Sequence, residues 1–213
     1  MAGSDGIRPG ARPNDALGTG RDRRPLGGLQ TQMKILVVAR HNEDVSWLEE
    51  VAGWEGLVVQ KGLDLPNVGR EASSYLWAMQ RLYDGIADDD LAAFCQGSAF
   101  DHFDREELDE PVEWFRPLGA RAPTGPISGW HRSFADGAPD HPGLPIRESY
   151  EAWVARPWPG HVDFVAGAQF IVTGACLKQH PKERYAGLAE QMNGPGPWVM
   201  ERLWAAFFNA ERE

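Results

Sequence analysis

Three short segments of this chain place charged and polar side chains directly after apolar runs. The first, Arg40-His41-Asn42-Glu43-Asp44, follows KILVVA. Arg40, Asn42 and Glu43 there offer a guanidinium, an amide and a carboxylate, a set that can meet a nucleobase or ribose at a strand end. The same residues also serve as a helix cap with exposed charges. In the second segment, PNVGREA, Asn67 and Gly69 permit a tight turn, Arg70 presents a planar fork to phosphate oxygens, and Glu71 opens a helix. That combination can hold a diphosphate, and a plain helix-entry turn with a surface arginine would look the same. The third, QGSAFDHFD, gathers Gln96, Asp101, His102 and Asp104 after another apolar run. Asp101 with His102 can ligate manganese or magnesium bridged to phosphates, or act as an acid-base pair. Two adjacent ligands alone do not define a metal site.

Two later positions complete the candidate set. Gln169, in FVAGAQF beside the small Gly167, can point from a strand into a site, or the small residues can simply allow tight packing. Glu201, in WVMERLWAAFF, sits among aromatics, where partial burial raises a carboxyl toward the range of a general base. An ion pair with Arg202 or Arg70 is the alternative. No nucleophile elbow, P-loop, zinc-type cysteine pair or dinucleotide fingerprint occurs in the sequence. Asp88-Asp89-Asp90 precedes the third apolar run, at its wrong end for a site, and reads as a solvated turn.

The elements that must position these residues follow from periodicity. Lys34 to Ala39 has the unbroken aliphatic character of a strand buried on both faces. NEDVSWLEEVAGW carries Val45, Leu48 and Val51 at helical spacing, with Gly53 as a stop, and predicts a helix. Leu57 to Gln60 predicts a short strand, Glu71 to about Asp84 a helix with Ala72, Tyr75, Leu76, Met79, Leu82 and Tyr83 on one side, and Leu91 to Gln96 a third strand. This alternation predicts an α/β domain with a mostly parallel sheet covered by helices on both faces, its ligand at the carboxyl ends of the strands. A Pro-, Gly- and Trp-rich insertion spans about 111–160, with a short helix around Glu148 to Ala155. Beyond it, Phe164 to Thr173 reads as a strand, Leu177 to Met192 as helical with Pro181 at a new first turn, and Trp198 to Phe208 as a last amphipathic helix.

Length and composition bound the rest. Of 213 residues, those from 33 to 213 form one domain of ordinary size, preceded by a tail over 1–32 too poor in large apolar residues to offset the entropy of ordering it. Lys plus Arg number 21 against 31 Asp plus Glu, a net charge of -10, which disfavours nucleic acid and anionic membrane partners. Cys95 and Cys176 each lie in an apolar run and suit buried free thiols. The sequence lacks a stretch long enough to span a bilayer, and its start lacks the apolar segment of a secretory signal, so a cytoplasmic location is expected.

The segments VVARHNEDVSWL, PNVGREASSYL, FCQGSAFDH, FVAGAQFIV and WVMERLW resemble, in order, the motifs of a bacterial and fungal protein family of unknown function, and the resemblance covers nearly all of Met33 to Phe208. The layout is similar to nucleotide-sugar glycosyltransferases of the GT-A fold, a Rossmann-like sheet. The resemblance implies that Arg40 and Asn42 meet the nucleotide, Arg70 the diphosphate, Asp101 a metal or the sugar, and Glu201 the acceptor hydroxyl. One departure is plain: the Asp-any-Asp metal motif of that fold is absent, since the loop reads Gln96-Gly97-Ser98 before Asp101. Three functions are thus in view. They are transfer of a sugar from a nucleotide diphosphate donor to a small acceptor, a hydrolase or cyclase using Asp101 and His102, and a non-catalytic ligand-binding domain.

Overall fold

The computed structural model describes residues 32–99, 116–117, 130–138, 141–165 and 168–208, all within one compact unit, Thr31–Glu213. The expected tail, apart from Gln32, lies outside the described residues. Strand β1 (Lys34–Arg40) is central, with Ile35 to Ala39 buried. It pairs in parallel with β2 (Glu55–Gln60) on one side and β3 (Leu91–Gln96) on the other. Beyond β3 lies β9 (Phe170–Thr173), antiparallel to it, and then the two-residue β4 (Arg116–Pro117), giving the order β2-β1-β3-β9-β4. The expected α/β class and mostly parallel sheet are therefore present. The smaller strands β5 (Trp130–Ser133) and β8 (Val162–Val165) form one antiparallel pair, and β6 (Gly137–Ala138) and β7 (His141–Pro142) another.

The helices are α1 (Arg70–Leu82), α2 (Ile146–Trp153), α3 (Gly174–Leu177), α4 (Lys182–Ala189) and α5 (Gly196–Phe208). Because side chains alternate along a strand, the two faces of the sheet have separate cores. Leu36, Val38, Ala93, Cys95 and Ile171 pack with Trp47 and Val51 on one face. The other presents Phe94 and Phe170 to Tyr75 of α1, at ring centroid distances of 5.3 and 5.8 Å, and Phe170 also meets Trp204 of α5 at 5.1 Å. The α1 stripe read from spacing is buried from Ala72 to Leu82, while Tyr83, at the helix C-cap, is only half-buried. No helix among the described residues is long and apolar enough to cross a membrane.

Three expectations need correction. The segment after β1 forms only a five-residue 3-10 turn, Ser46–Glu50, so among the described residues that face carries no α-helix there. Its Trp47 indole N–H donates to Gly97 O at 3.2 Å, and this tether draws the segment flat onto the sheet. The single strand expected over Phe164 to Thr173 is two strands in different sheets, β8 and β9, and Ala168 between them adopts a left-handed φ of 50° that no strand can continue through. The new helical start expected at Pro181 is present, with α4 beginning directly after it. Finally, Asp90 is not solvated. Its carboxylate is 2 % exposed and accepts the backbone N–H groups of Met33 at 2.8 Å and Ala87 at 2.7 Å, fastening the entry of β1 to that of β3. The two cysteines are buried free thiols, as expected, and burial pushes the Cys95 thiol up.

Asp90→Ala would strip a charged acceptor from two backbone donors, so it is expected to lower unfolding free energy by about 2 kcal/mol in urea denaturation. A loss below about 0.5 kcal/mol would mean that these two bonds do not secure the strand entries.

Candidate functional site

The carboxyl ends of β1, β2 and β3 lie on one edge of the sheet, and the polar residues that follow them meet there. Arg40 donates through Nε to Glu43 O at 2.8 Å, which curls the loop back on itself. The Glu43 side chain lies against Gly97, where any Cβ would come within 2.9 Å of it. Burial pushes the Glu43 carboxyl up, but hydrogen bonds from the backbone N–H groups of His41, Glu43 and Asn42 outweigh it, and the net shift is downward. His41 is the hub between two loops. Its Nδ1 lies 3.1 Å from Asn42 Nδ2, its Nε2 lies 3.0 Å from Asn67 Nδ2, and its carbonyl accepts from Gln60. A neutral imidazole accepts at only one nitrogen, so one of the two amides must turn its oxygen to the ring.

The turn before α1 is strained and tightly held. Gly69 has φ 73° and Arg70 has φ 46°, two successive left-handed residues. A Cβ on Gly69 would stand 2.6 Å from Met192 O, so glycine is required by space as well as by angle. Arg70 tolerates a conformation that costs of order 1 kcal/mol. Its guanidinium is held over the Trp198 ring at 5.3 Å and lies 3.4 Å, through Nε, from Glu71 Oε2. The strain therefore aims a fixed cation outward from the start of a helix whose N-terminus has no side-chain cap.

Glu71 and Glu201 form the acidic part. The Glu71 side chain is only 9 % exposed. Burial raises its pKa and the Glu201 charge raises it further, against the lowering effects of its own backbone N–H, Arg70 and Lys61. Glu201 pairs with the buried Arg202 at 3.3 Å, consistent with the ion-pair reading of its sequence context. One turn along each helix from these carboxyls stand Tyr75 and Trp204. The Tyr75 hydroxyl and the Trp204 indole nitrogen are both buried without a hydrogen-bond partner among the described residues. Burial, with Cys95, Glu71 and Glu201 nearby, raises the Tyr75 phenol well above its ordinary range.

The structure thus brings together Arg40, Asn42, Glu43, Asn67, Arg70, Glu71 and Glu201 near the strand ends. Gln96 ends β3 at the same edge. Gln169 reaches it as well, because β9 runs antiparallel and begins there. It is buried and donates to Ala99 O at 3.3 Å, which favours a tethering role for it. Asp101, His102, Asp104 and Gly167 lie outside the described residues, and with them the metal expectation carried by Asp101. Among the described residues no group of three or more His, Cys, Asp or Glu side chains is placed to hold a metal ion.

Sequence reasoning missed His41, Lys61 and Trp198. His41 lies inside a segment already singled out, and Lys61 directly follows β2, so the strand-end rule applied to that strand would have found it. Lys61 is 7 % exposed, and burial lowers its pKa to about 8, with Arg70 lowering it further and Glu71 and Glu43 opposing. Trp198 had no signal beyond being an aromatic at a helix start.

The raised Glu71 pKa has a definite sign. The folded state holds this proton more tightly than the unfolded chain, so the carboxyl's contribution is full below the ordinary value of 4.5 and is lost as pH climbs through the folded value. Glu71→Gln should therefore gain stability relative to wild type as pH rises from about 4.5, measured by urea denaturation at several pH values. A stability difference that does not change with pH would mean that the carboxyl keeps its ordinary pKa in the fold, as it does in water. No protein-family model, curated protein or solved structure matches this chain.

Proposed function

We propose that the protein transfers a sugar, or a similar activated group, from a nucleotide diphosphate donor to a small hydroxylated acceptor, within a GT-A-like domain of the cytoplasm. The observation that carries this reading is the convergence of a strained, outward-aimed arginine at a helix start with two neighbouring carboxyl groups, all at the carboxyl edge of a mostly parallel sheet. Such edges are where α/β sheets bind ligands.

In this reading Arg40, Asn42 and His41 border the nucleoside. Arg70 and the α1 N-terminus face the diphosphate and stabilise the negative charge that grows on it as the bond to the transferred group breaks. The acceptor lies across Glu71 and Glu201, and one of these carboxyls takes the hydroxyl proton as the oxygen attacks. Trp198, half-buried and already stacked on Arg70, offers a flat face to the ring of donor or acceptor. Where manganese or magnesium takes part, Asp101 is the residue proposed to meet it, and the ion would neutralise diphosphate charge.

Thermal denaturation with a panel of nucleoside diphosphates, with and without manganese, tests the donor site, because a ligand that binds only the folded state raises its melting temperature. One nucleotide is expected to stabilise the protein by several degrees, and Arg70→Ala to abolish most of that gain. Equal silence across the panel would sink the donor reading.

A further inference from the structure

Lys61 is unlike the other three lysines of the chain. Lys178 and Lys182 make surface ion pairs with Asp88 and Asp84, and Lys34 lies over the Trp54 ring. Lys61 is buried, and among the described residues no carboxylate stands within ion-pair distance of its ammonium. Its one hydrogen bond there is from Nζ to Val68 O, 3.0 Å, inside the turn that carries Gly69 and Arg70.

That contact does not explain a lysine. Val68 O already accepts the Ser73 hydroxyl at 2.6 Å, so the carbonyl is satisfied without a charge. An ammonium carries three donors, and two of these have no acceptor among the described residues. Burying a cation without a counter-ion is unfavourable, and an incoming anion would reverse that imbalance. Glu71 and Arg70 from α1 and Glu43 from the loop after β1 are the charged groups that act on it, with the His41 ring on the Asn67 side of the same turn. Lys61 is bonded to the Val68 carbonyl of the turn, and Arg70, two residues further on and half in water, is close enough to act on its charge, so two cations serve a single stretch of backbone.

We infer that Lys61 is the second cationic ligand of the diphosphate, completing with Arg70 a two-sided clamp around the Val68–Arg70 turn. This rests on the donor reading and adds to it a residue that the sequence pattern did not supply. It also carries a signature. With a pKa of about 8 in the free protein, Lys61 is roughly half deprotonated near pH 8, and an anion drawn against it restores the proton.

Titration calorimetry of the wild-type protein with nucleoside diphosphates, pyrophosphate and inorganic phosphate, in buffers of different ionisation enthalpy, reads that proton directly. At pH 8 the terminal phosphate of a nucleoside diphosphate is already ionised, and uptake of about half a proton per bound nucleotide is expected of the wild type. Lys61→Met should bind about tenfold or more weakly and take up none, while Lys61→Arg, which keeps the charge but does not titrate, should bind without uptake. Pyrophosphate behaving like the nucleotides would locate recognition in the diphosphate itself, and inorganic phosphate binding as tightly would show a generic anion site and overturn the clamp. Diphosphate binding with no proton uptake by the wild type would leave Lys61 as a turn staple and the donor reading intact. No binding of any of these anions would remove both. The wild-type measurement decides even where Lys61→Met fails to fold.

Discussion

Two backbone hydrogen bonds just past the sheet control where everything polar in this molecule can go. The Lys61 N–H donates to Arg40 O and the Gly97 N–H donates to Ala39 O, each at 2.7 Å. Both ladders of the central strand are thereby prolonged beyond its neighbours, so the loops after β1, β2 and β3 leave the sheet side by side. Glu43 can then lie on Gly97, His41 can reach Asn67, and the turn before α1 is held close to β1. Register errors in either pairing would turn alternate side chains to the wrong face and separate these loops.

The edge so assembled is poorly neutralised by the standards of a protein interior. A carboxyl held up in pKa, an ammonium held down, and a non-glycine residue at φ 46° stand between Lys61 and Glu71. Each opposes folding, and local strain with perturbed titration is more common at functional sites than in scaffolding. The opposite end of the sheet behaves otherwise. There Asp90 satisfies two backbone donors, which is the arrangement expected where only stability is at stake. The contrast between the two ends, more than any single residue, marks the carboxyl edge as the candidate site.

Much of this was legible in the sequence because strands buried on both faces read as unbroken apolar runs, and because glycine and proline mark where they stop. The apolar run Leu91 to Gln96 coincides with β3 residue for residue, and the reading of α1 is within a residue or two. What escaped depended on contacts distant in sequence. The spacing of Val45, Leu48 and Val51 fits a helix, yet the Trp47 bond to Gly97, 50 residues away, leaves only a 3-10 turn. FVAGAQFIVT has the composition of one strand, and only a left-handed Ala168 divides it. Asp90 resembled its two neighbours until its backbone donors were known. Lys61 had a signal in its place directly after β2, but its burial under the turn depends on the fold and on no local feature.

The two carboxyls of the site illustrate how environment divides labour between like groups. Glu71 lies nearly sealed, close enough to Glu201 for that charge to lift its pKa, and its own arginine is mostly in water, with a side chain 52 % exposed. Glu201 is paired with Arg202, whose side chain is 2 % exposed, so its attraction is little screened. Burial makes Glu71 hold its proton more readily than a carboxyl in water does, whereas Arg202 supports the Glu201 charge from behind. In the transfer we propose, Glu201, steadied by Arg202, would take the acceptor's proton, and Glu71 would donate a hydrogen bond to a hydroxyl or to the leaving diphosphate. Lys61 stands close enough for its charge to pull the Glu71 pKa down.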